Sequence, residues 1–471
     1  MTTTAPRNDR WNFFVLVQKL NPYFGAFVAS LGGFALGISL AWNSKASKMF
    51  RDHLDATGTE IGLIGGILNA GICVGAILVP FIAERFSRAR ILFWTMPPLV
   101  ITWMYIMGNR SEQVVILMTG RFICGICGGI YSVLTPIYVA EITRKEVRGR
   151  HLAYFQVLIN CGIMYAFSVA HAIEETVWWY SKVCGFACFL LVPQVMLPNS
   201  PFHYLFRNDE TNAVVSLEWF RDTNDVQHEL NELKQLVHTT RSRKINMKLL
   251  KNRRVLRSIV TCIGVMLGQN LCGANMMIFH ALTLFDITGS GELTGSEQTM
   301  VIGAVQILVS FLAASLVDVL GRRILLTVSC LLMGVFLILL GWFFSVRDAD
   351  PEYDDIYFWM SPTWITLMFA SYNLGLGPIS WSILGDTLPE ELKNLVASAA
   401  VALGWLVSLL ASLSFEEMVV MLGATKVMWG SAAICWLIAL FCAIVVKDNT
   451  GKSLLEIQKE FRIEADTVVE T

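Results

Sequence analysis

Apolar runs long enough to cross a membrane recur along almost the whole chain of 471 residues. A helix needs about 20 apolar residues to cross a hydrocarbon core about 30 Å thick, and about twelve runs approach or exceed that length. Charged residues make up only 15% of the chain, against about 25% in soluble domains. The pattern predicts an all-α membrane protein. Its predicted spans, numbered one to twelve, are 23–43, 61–83, 91–108, 113–139, 152–173, 178–197, 256–285, 299–317, 323–345, 362–385, 395–415 and 427–446.

All eleven cysteines fall inside these apolar runs. A free cysteine in such surroundings behaves as a small hydrophobic residue, so we expect neither a disulfide framework nor a metal site. Ser, His and Asp occur without the spacing of a catalytic site. The sequence therefore predicts no enzyme, no cofactor and no nucleic-acid partner, but a protein surrounded by the lipid bilayer.

Lysine and arginine collect in alternate loops. One side of the predicted membrane holds the basic segments 85–90, 144–150, 241–257 and 322–323, whereas the other side holds the acidic segment 348–355. Cytoplasmic loops carry an excess of Lys and Arg, so the basic side is predicted to be cytoplasmic. An even number of spans places both termini there, in a multi-pass protein that we expect in the plasma membrane.

The longest polar interval divides the chain into six spans and six spans. Within it Leu217, Phe220, Leu230 and Leu233 recur at helix-like spacing among charged residues, which predicts short amphipathic helices. The predicted segments are a cytoplasmic N-terminal segment 1–22, an N-terminal half 23–197, a linker 198–254, a C-terminal half 255–446 and a cytoplasmic tail 447–471.

The two halves echo each other in their charges. Glu141 is followed seven residues later by Arg148, and Asp386 seven residues later by Lys393, each across the loop after the fourth span of its half. Repeated halves are a known construction of transporters, with the substrate site between them near the membrane midplane. The echo therefore indicates a transporter.

Several short motifs carry a resemblance to a known family. They are Gly120-Arg121-Phe122, 136–141, Arg148-Gly149-Arg150, Gln156, 269–275, 318–323, 377–381 and 451–454. In their order and spacing the chain resembles the sugar porters of the major facilitator superfamily, and among these the insect facilitated trehalose transporters. The resemblance implies twelve helices in two pseudo-symmetric six-helix halves, and transport of a sugar by alternating access.

A set of charged residues is expected at the cytoplasmic helix ends, where opposite charges can pair across the two halves. Pairs that form when this end is shut and part when it opens would bias one conformation, since a few kcal/mol sets such populations. The alternative is that these charges only set the topology. The candidate gating residues are Glu84, Arg85, Arg88, Arg121, Glu141, Arg148, Asp318, Arg322, Arg323, Asp386 and Lys393.

Neutral polar side chains inside the apolar spans suggest a binding site. A buried amide without a partner costs a few kcal/mol, so these groups either bind one another between helices or face a cavity, where their donors and acceptors suit hydroxyl groups. The candidate amides are Gln156, Gln269, Asn270, Asn275, Gln306 and Asn373. The resemblance implies sugar contacts for Gln156, Gln269 and Asn275, and flat apolar faces from Trp381 and Trp405.

Three positions bear on coupling and gating. Ser39 lies where proton-coupled members of the family carry Asp, and because an intramembrane carboxylate is the usual proton relay, facilitated diffusion is favoured. We also find no Arg or Lys deep in the spans that would hold an anion. Pro378 predicts a helix break. His280, where the family carries tyrosine, could titrate near neutral pH and gate the outer side, or it could simply form a hydrogen bond in an aqueous mouth.

These features favour a facilitative uniporter for a hexose or trehalose that functions as a monomer. Two alternatives stay open. One is a carrier of another small neutral solute such as a polyol. The other is a non-transporting nutrient sensor, suggested by departures from the family's motifs at positions such as Ser87, Val319 and Asn199.

Overall fold

The computed structural model describes residues 23–54, 58–108, 114–173, 177–241, 252–279, 294–349 and 359–467, and every structural statement below concerns these ranges. Within them the chain is built from helices. They are α1 Tyr23–Leu54, α2 Gly58–Ala83, α3 Arg88–Met107, α4 Val114–Ile142, α5 Arg148–Ala172, α6 Val177–Phe186 with the 3-10 helix Ala187–Met196, α7 Pro201–Phe206, α8 Glu210–Arg221, α9 Gln227–Arg241, α10 Arg253–Leu271, α11 Ala274–Phe279, α12 Gly295–Leu320, α13 Arg322–Ala349, α14 Met360–Leu374, α15 Leu376–Asp386, α16 Lys393–Leu422, α17 Ala424–Val445 and α18 Leu454–Thr467.

Eleven segments of the described chain are long and apolar enough to cross a membrane. The remaining predicted span, the tenth, is present as two shorter helices, α14 with 15 residues and α15 with 11 residues, which meet at Gly375. Together they match the length of a span. The fold is thus the predicted membrane bundle of twelve spans, with the tenth span divided in the middle.

Glycines let the helices of the N-terminal half approach one another closely. A Cβ atom on Gly37 of α1 would lie 2.0 Å from the Ile159 carbonyl oxygen of α5, and one on Gly71 of α2 would lie 2.1 Å from the Phe122 carbonyl oxygen of α4. Small residues at helix interfaces permit such backbone contact within membranes. The pairs α1–α5 and α2–α4 are accordingly among the most extensive contacts of the fold.

We expect Gly37→Ala to destabilise the protein by about 1–3 kcal/mol, the usual range for overpacking, because the new methyl group would meet backbone that cannot move aside. A lower melting midpoint of the purified protein would show it. Gly430→Ala on α17 is the matched control, since a Cβ there has no neighbour within 4 Å. Equal midpoints for the two variants would contradict close packing at Gly37.

The two halves meet at five main pairs of helices. α2 packs against α16, α5 against α12, α1 against α11, and α15 against both α4 and α5. Three of these pairs involve the broken spans, because α11 and α15 are the second parts of spans seven and ten. The breaks therefore lie at the seam between the halves.

The short helices α7, α8 and α9, with the tail helix α18, gather at one end of the bundle, which we call the basic end. Phe202, Leu217, Leu230 and Leu455 belong to a small apolar cluster there, separate from the main core. α7, α8 and α9 lie in the interval for which amphipathic helices were predicted, and their apolar faces pack on one another and on α18. The basic end thus carries a compact cap in contact with both halves.

Candidate functional site

A small cavity of about 20 Å³ lies at the centre of the seam between the two halves. Six of the eight predicted substrate-binding residues line it, together with apolar side chains such as Leu36, Ile159 and Ile278. The six are Gln156, Gln269, Asn270, Asn275, Trp381 and Trp405. A cavity of this size has room for about one water molecule. The described conformation is therefore closed around its polar centre.

The break in span seven places two of the amides. The chain turns at Gly273, whose φ of +84° is accessible mainly to glycine, so that α10 ends and α11 begins beside the cavity. Asn270, at the end of α10, donates to the Met266 carbonyl at 2.9 Å. Its own side-chain oxygen accepts a hydrogen bond from Asn275 of α11 at 3.1 Å. The two sides of the break are thus held together by side chains.

The break in span ten lies at Gly375, three residues before Pro378. Pro378 has no N–H to donate to the Leu374 carbonyl, which explains why the helix opens at this point. A Cβ on Gly375 would lie 2.3 Å from the Leu325 carbonyl oxygen, and the next N–H, that of Leu376, donates to Ser329 Oγ at 3.0 Å. The predicted break is therefore present, and it directs α15 and Trp381 toward the cavity.

Gln156 of α5 is held from both halves. Its Oε1 accepts a hydrogen bond from Trp381 Nε1 at 2.8 Å, and its Nε2 donates to Asn160 Oδ1 at 3.0 Å. Asn160 Nδ2 in turn donates to Asn373 Oδ1 at 2.8 Å. Gln306 and Asn373, which we predicted as substrate contacts, lie behind the cavity wall rather than on it. Gln306 accepts a hydrogen bond from Ser310 through its backbone carbonyl.

The sequence reasoning missed Asn160, Ser310 and Tyr372. Asn160 is an amide in an apolar span, one helical turn after Gln156, and that spacing was a usable signal. Tyr372 lines the cavity and accepts from Gln269 Nε2 at 3.1 Å, but a tyrosine in a membrane span carries no distinctive sequence signal.

Two buried polar atoms at the cavity have no hydrogen-bond partner in the described part of the chain. They are Gln269 Oε1, an acceptor, and Trp405 Nε1, a donor. Both residues line the cavity. An unpartnered buried group costs about 1–3 kcal/mol, so a ligand that satisfied both would gain that energy. This geometry suits a hydroxyl group, which donates and accepts at once.

The buried ion pairs of the basic end join helices within one half. Arg322 of α13 binds Asp386 of α15, with Nη2 2.6 Å from Oδ2, and Arg88 of α3 binds Glu141 of α4. Lys393 is fully buried and pairs with Glu390. We expected opposite charges to pair across the halves, and for these pairs that expectation is wrong.

Contacts across the halves at this end are hydrogen bonds instead. The Arg150 N–H donates to Asp318 Oδ2 at 3.1 Å, and Arg88 Nη2 donates to Asn394 Oδ1 at 3.4 Å. Arg148 donates to the Lys452 carbonyl, in the segment before α18, at 3.1 Å. Of the ion-paired residues only Arg88 takes part in these contacts across the halves, so hydrogen bonds rather than ion pairs hold the seam together at this end.

Arg121, Arg148 and Asp318 form hydrogen bonds rather than ion pairs in the described chain, and three further predicted gating residues also take no part in an ion pair there. Glu84, Arg85 and Arg323 are exposed, and Arg323 donates to the Ala443 carbonyl of its own half.

Nearby His203 of α7 is half-buried. Burial, with the charges of Arg207, Arg88 and Arg90, lowers the pKa of His203 to about 4. That imidazole is thus neutral at pH 7.

Arg121 does not belong to the basic end, contrary to our expectation. It lies two turns from the start of α4, at the opposite end of the bundle, and is 2% exposed. Its Nε donates to the Ile64 carbonyl at 2.7 Å, its Nη1 donates to the Ser39 carbonyl at 3.3 Å, and its guanidinium stacks over Trp42. The expectation that no Arg lies deep in the spans was also wrong. His280, the predicted pH-sensitive gate, lies outside the described residues.

Comparison with known proteins places these features in context. Residues 23–461 match the model of the family described as "Sugar (and other) transporter". The facilitated trehalose transporter Tret1 of Bombyx mori is 30% identical over 463 residues, which cover 97% of this chain and 89% of that protein. The corresponding transporter of Anopheles gambiae is 29% identical over 446 residues, and only 55% of its length is covered.

The fold is shared with solved structures. The proton:xylose symporter XylE, bound to 6-bromo-6-deoxy-D-glucose, superposes with a TM-score of 0.81 at 21% sequence identity. The match covers 93% of this chain and 99% of XylE. The two molecules therefore share one fold.

Proposed function

The chain belongs to the sugar transporter family, and we propose that it carries a neutral sugar, a hexose or trehalose, across the membrane by facilitated diffusion. It is a membrane transporter rather than an enzyme. The observation that carries the proposal is the central cavity, in which neutral amides and indoles from both halves converge. Gln156, Gln269, Asn270 and Asn275 bind the hydroxyl groups, while Trp381 and Trp405 offer flat faces to the sugar ring.

The mechanism follows from the closed state. A sugar is several times larger than the one water molecule that the cavity can hold, so the halves must separate on one side to admit it. Closure around the sugar and separation on the other side then release it. A weak site suits this cycle, because a carrier must release what it binds. A Kd near 1 mM corresponds to a binding free energy of only about −4 kcal/mol. The buried charges of the basic end stabilise the halves when that end is shut.

Uniport is supported by the surroundings of the cavity. No Asp or Glu is among the residues that line it in the described structure, and Ser39 Oγ donates to the Ala35 carbonyl of its own helix. Proton relays within membranes generally use a carboxylate. A neutral sugar also carries no charge on which the membrane potential acts. We therefore infer transport down the sugar gradient alone.

The basic end is assigned to the cytoplasm by its excess of Lys and Arg. Both termini then lie on the cytoplasmic side of what we take to be the plasma membrane, and the protein functions as a monomer. An organic anion is a poorer substrate, because Arg121 is not among the residues that line the cavity and is engaged by Ile64, Ser39 and Trp42.

Reconstitution in liposomes tests the proposal. We expect saturable uptake of labelled D-glucose, D-fructose or trehalose that stops at equal concentrations inside and outside. A pH gradient or membrane potential should leave the final level unchanged, with protein-free liposomes as control. Accumulation above equilibrium under an inside-alkaline gradient would contradict uniport. Uptake of a polyol alone would favour the polyol carrier, and uptake of none of these solutes would favour the nutrient sensor.

A further inference from the structure

The hydrogen bonds behind the cavity form one network that joins the two halves. Gln156 and Asn160 come from α5, Ser310 from α12, Asn373 from α14 and Trp381 from α15. Asn160 Nδ2 donates to Ser310 Oγ as well as to Asn373, and Ser310 Oγ lies 3.3 Å from Asn373 Oδ1. All five side chains are buried. Within this network the two halves thus share hydrogen bonds at Gln156 and at Asn160.

Two groups at the ends of this network fix the direction of every bond between them. The Trp381 indole N–H can only donate, so the Gln156 atom facing it is the oxygen. The Phe369 carbonyl can only accept, and Asn373 Nδ2 donates to it at 3.0 Å, so Asn373 turns its oxygen toward Asn160. Asn160 must then donate to Asn373. It is left with its oxygen for Gln156 Nε2, at 3.0 Å.

As a result, Gln156 has no N–H left for a ligand. Its Nε2 group lies within hydrogen-bond distance of Asn160 Oδ1 and, at 3.4 Å, of Asn373 Oδ1. Only Oε1, which accepts one bond from Trp381, has a lone pair to spare.

Gln269 is constrained in the same way. Its Nε2 donates to Tyr372 Oη and, at 3.3 Å, to the Gly377 carbonyl, which can only accept. Its Oε1 is buried without a partner. Both glutamines therefore face a ligand as acceptors. Donors at the cavity come from Trp405 Nε1, which has no partner in the described chain, and from Asn270 and Asn275, each of which uses one N–H within the protein and has a second.

We propose that this network sets the hydrogen-bond polarity of the two glutamines, so that Gln156 and Gln269 recognise the substrate through hydroxyl hydrogens donated to their side-chain oxygens. Asn160 is a positioning residue, because it accepts one Gln156 N–H and holds Asn373 beside the other, and it is not among the residues that line the cavity. The inference rests on the proposed function and narrows its substrate class to polyhydroxylated solutes whose hydroxyl groups act as donors.

The test compares two ways of removing one hydroxyl. The probes are the monodeoxy and monodeoxyfluoro derivatives of D-glucose. Their affinities are measured from the melting midpoint of the purified protein, since a ligand that binds the folded state raises that midpoint. Fluorine retains a weak acceptor but has no hydrogen to donate. At each ring position where the deoxy derivative binds about tenfold or more weakly than D-glucose, the fluoro derivative should bind as weakly as the deoxy derivative. A fluoro derivative that binds as well as D-glucose at those positions would overturn the proposal.

Variants of the network test the role of Asn160. In Asn160→Leu, Gln156 Nε2 loses its 3.0 Å acceptor and becomes free to donate to fluorine. The ratio of the affinity for a fluoro derivative to the affinity for the matching deoxy derivative should therefore rise about tenfold, which corresponds to one hydrogen bond. Ser310→Ala removes one acceptor of Asn160 Nδ2 but leaves Asn160 Oδ1 to accept from Gln156, so it should keep the wild-type ratio. Ser315→Ala, on the same helix but exposed, is the surface control. An unchanged ratio in Asn160→Leu would remove Asn160 from this role.

Failure of the proposed function would look different. If neither D-glucose nor trehalose stabilises the protein and neither enters liposomes, the sugar assignment fails and this inference falls with it. If a sugar enters liposomes while its fluoro derivatives bind like the parent, only the polarity of the two glutamines has been misread.

Discussion

Replacing Gln156 or Gln269 by alanine is expected to abolish saturable sugar uptake while the protein still reaches the membrane. Gln156→Ala removes hydrogen bonds from both halves and leaves Trp381 Nε1 without a partner. Each lost bond costs about 0.5–1.5 kcal/mol and the orphaned donor about 1–3 kcal/mol. A site with about 4 kcal/mol of binding free energy cannot lose most of that and remain saturable at millimolar sugar.

Initial rates of labelled uptake against sugar concentration, normalised to the amount of protein in the membrane, measure this effect. Gln227→Ala is the matched control, because Gln227 is an exposed glutamine at the start of α9. We expect wild-type kinetics from the control. Normal saturable uptake in both cavity variants would remove these glutamines from the substrate site.

Neutralising Asp386 should have the second large effect. Asp386 and Arg322 are paired through two hydrogen bonds, with side chains only 1% and 5% exposed. Removing one partner of a buried pair costs about 3–5 kcal/mol, because the other charge is left uncompensated. Asp386→Asn is therefore expected to lower the melting midpoint of the purified protein and to slow uptake, since the Arg322 guanidinium gains solvent only when the basic end opens.

An exposed pair provides the comparison. Lys234 and Glu210 have side chains that are 36% and 59% exposed, and such pairs contribute about 0–1 kcal/mol. Glu210→Gln should leave both the midpoint and uptake near wild type. If Asp386→Asn behaved like Glu210→Gln, the buried pair would not determine the stability of the basic end.

The architecture could be predicted from the sequence because hydropathy and length together dictate a membrane helix. The twelve apolar runs and the resemblance gave the correct fold, and Pro378 correctly predicted a break in span ten. The position of that break could not be foreseen. It lies at Gly375, where the Leu325 carbonyl of a neighbouring helix approaches too closely for a side chain, and only tertiary packing determines that approach.

The candidate site was predicted less completely. Residue type and motif position identified the amides that line the cavity, since an amide in an apolar span needs a partner. They could not separate the amides on the wall from Gln306 and Asn373 behind it, because that depends on how each helix is rotated. Arg121 was misplaced for a different reason. It was grouped with the cytoplasmic charges of the family's motifs, although it lies near the start of predicted span four and the basic loop 144–150 follows the end of that span.

The central claim is that a neutral sugar passes through the amide-lined cavity by facilitated diffusion, and counterflow in liposomes tests it most directly. Vesicles holding the purified protein are loaded with unlabelled sugar and diluted into a trace of the labelled sugar, with no ion gradient. A carrier that exchanges sugar should produce a transient accumulation of label in the wild type and none in Gln156→Ala. No accumulation in the wild type with D-glucose, D-fructose or trehalose, or an equal accumulation in Gln156→Ala, would contradict the account.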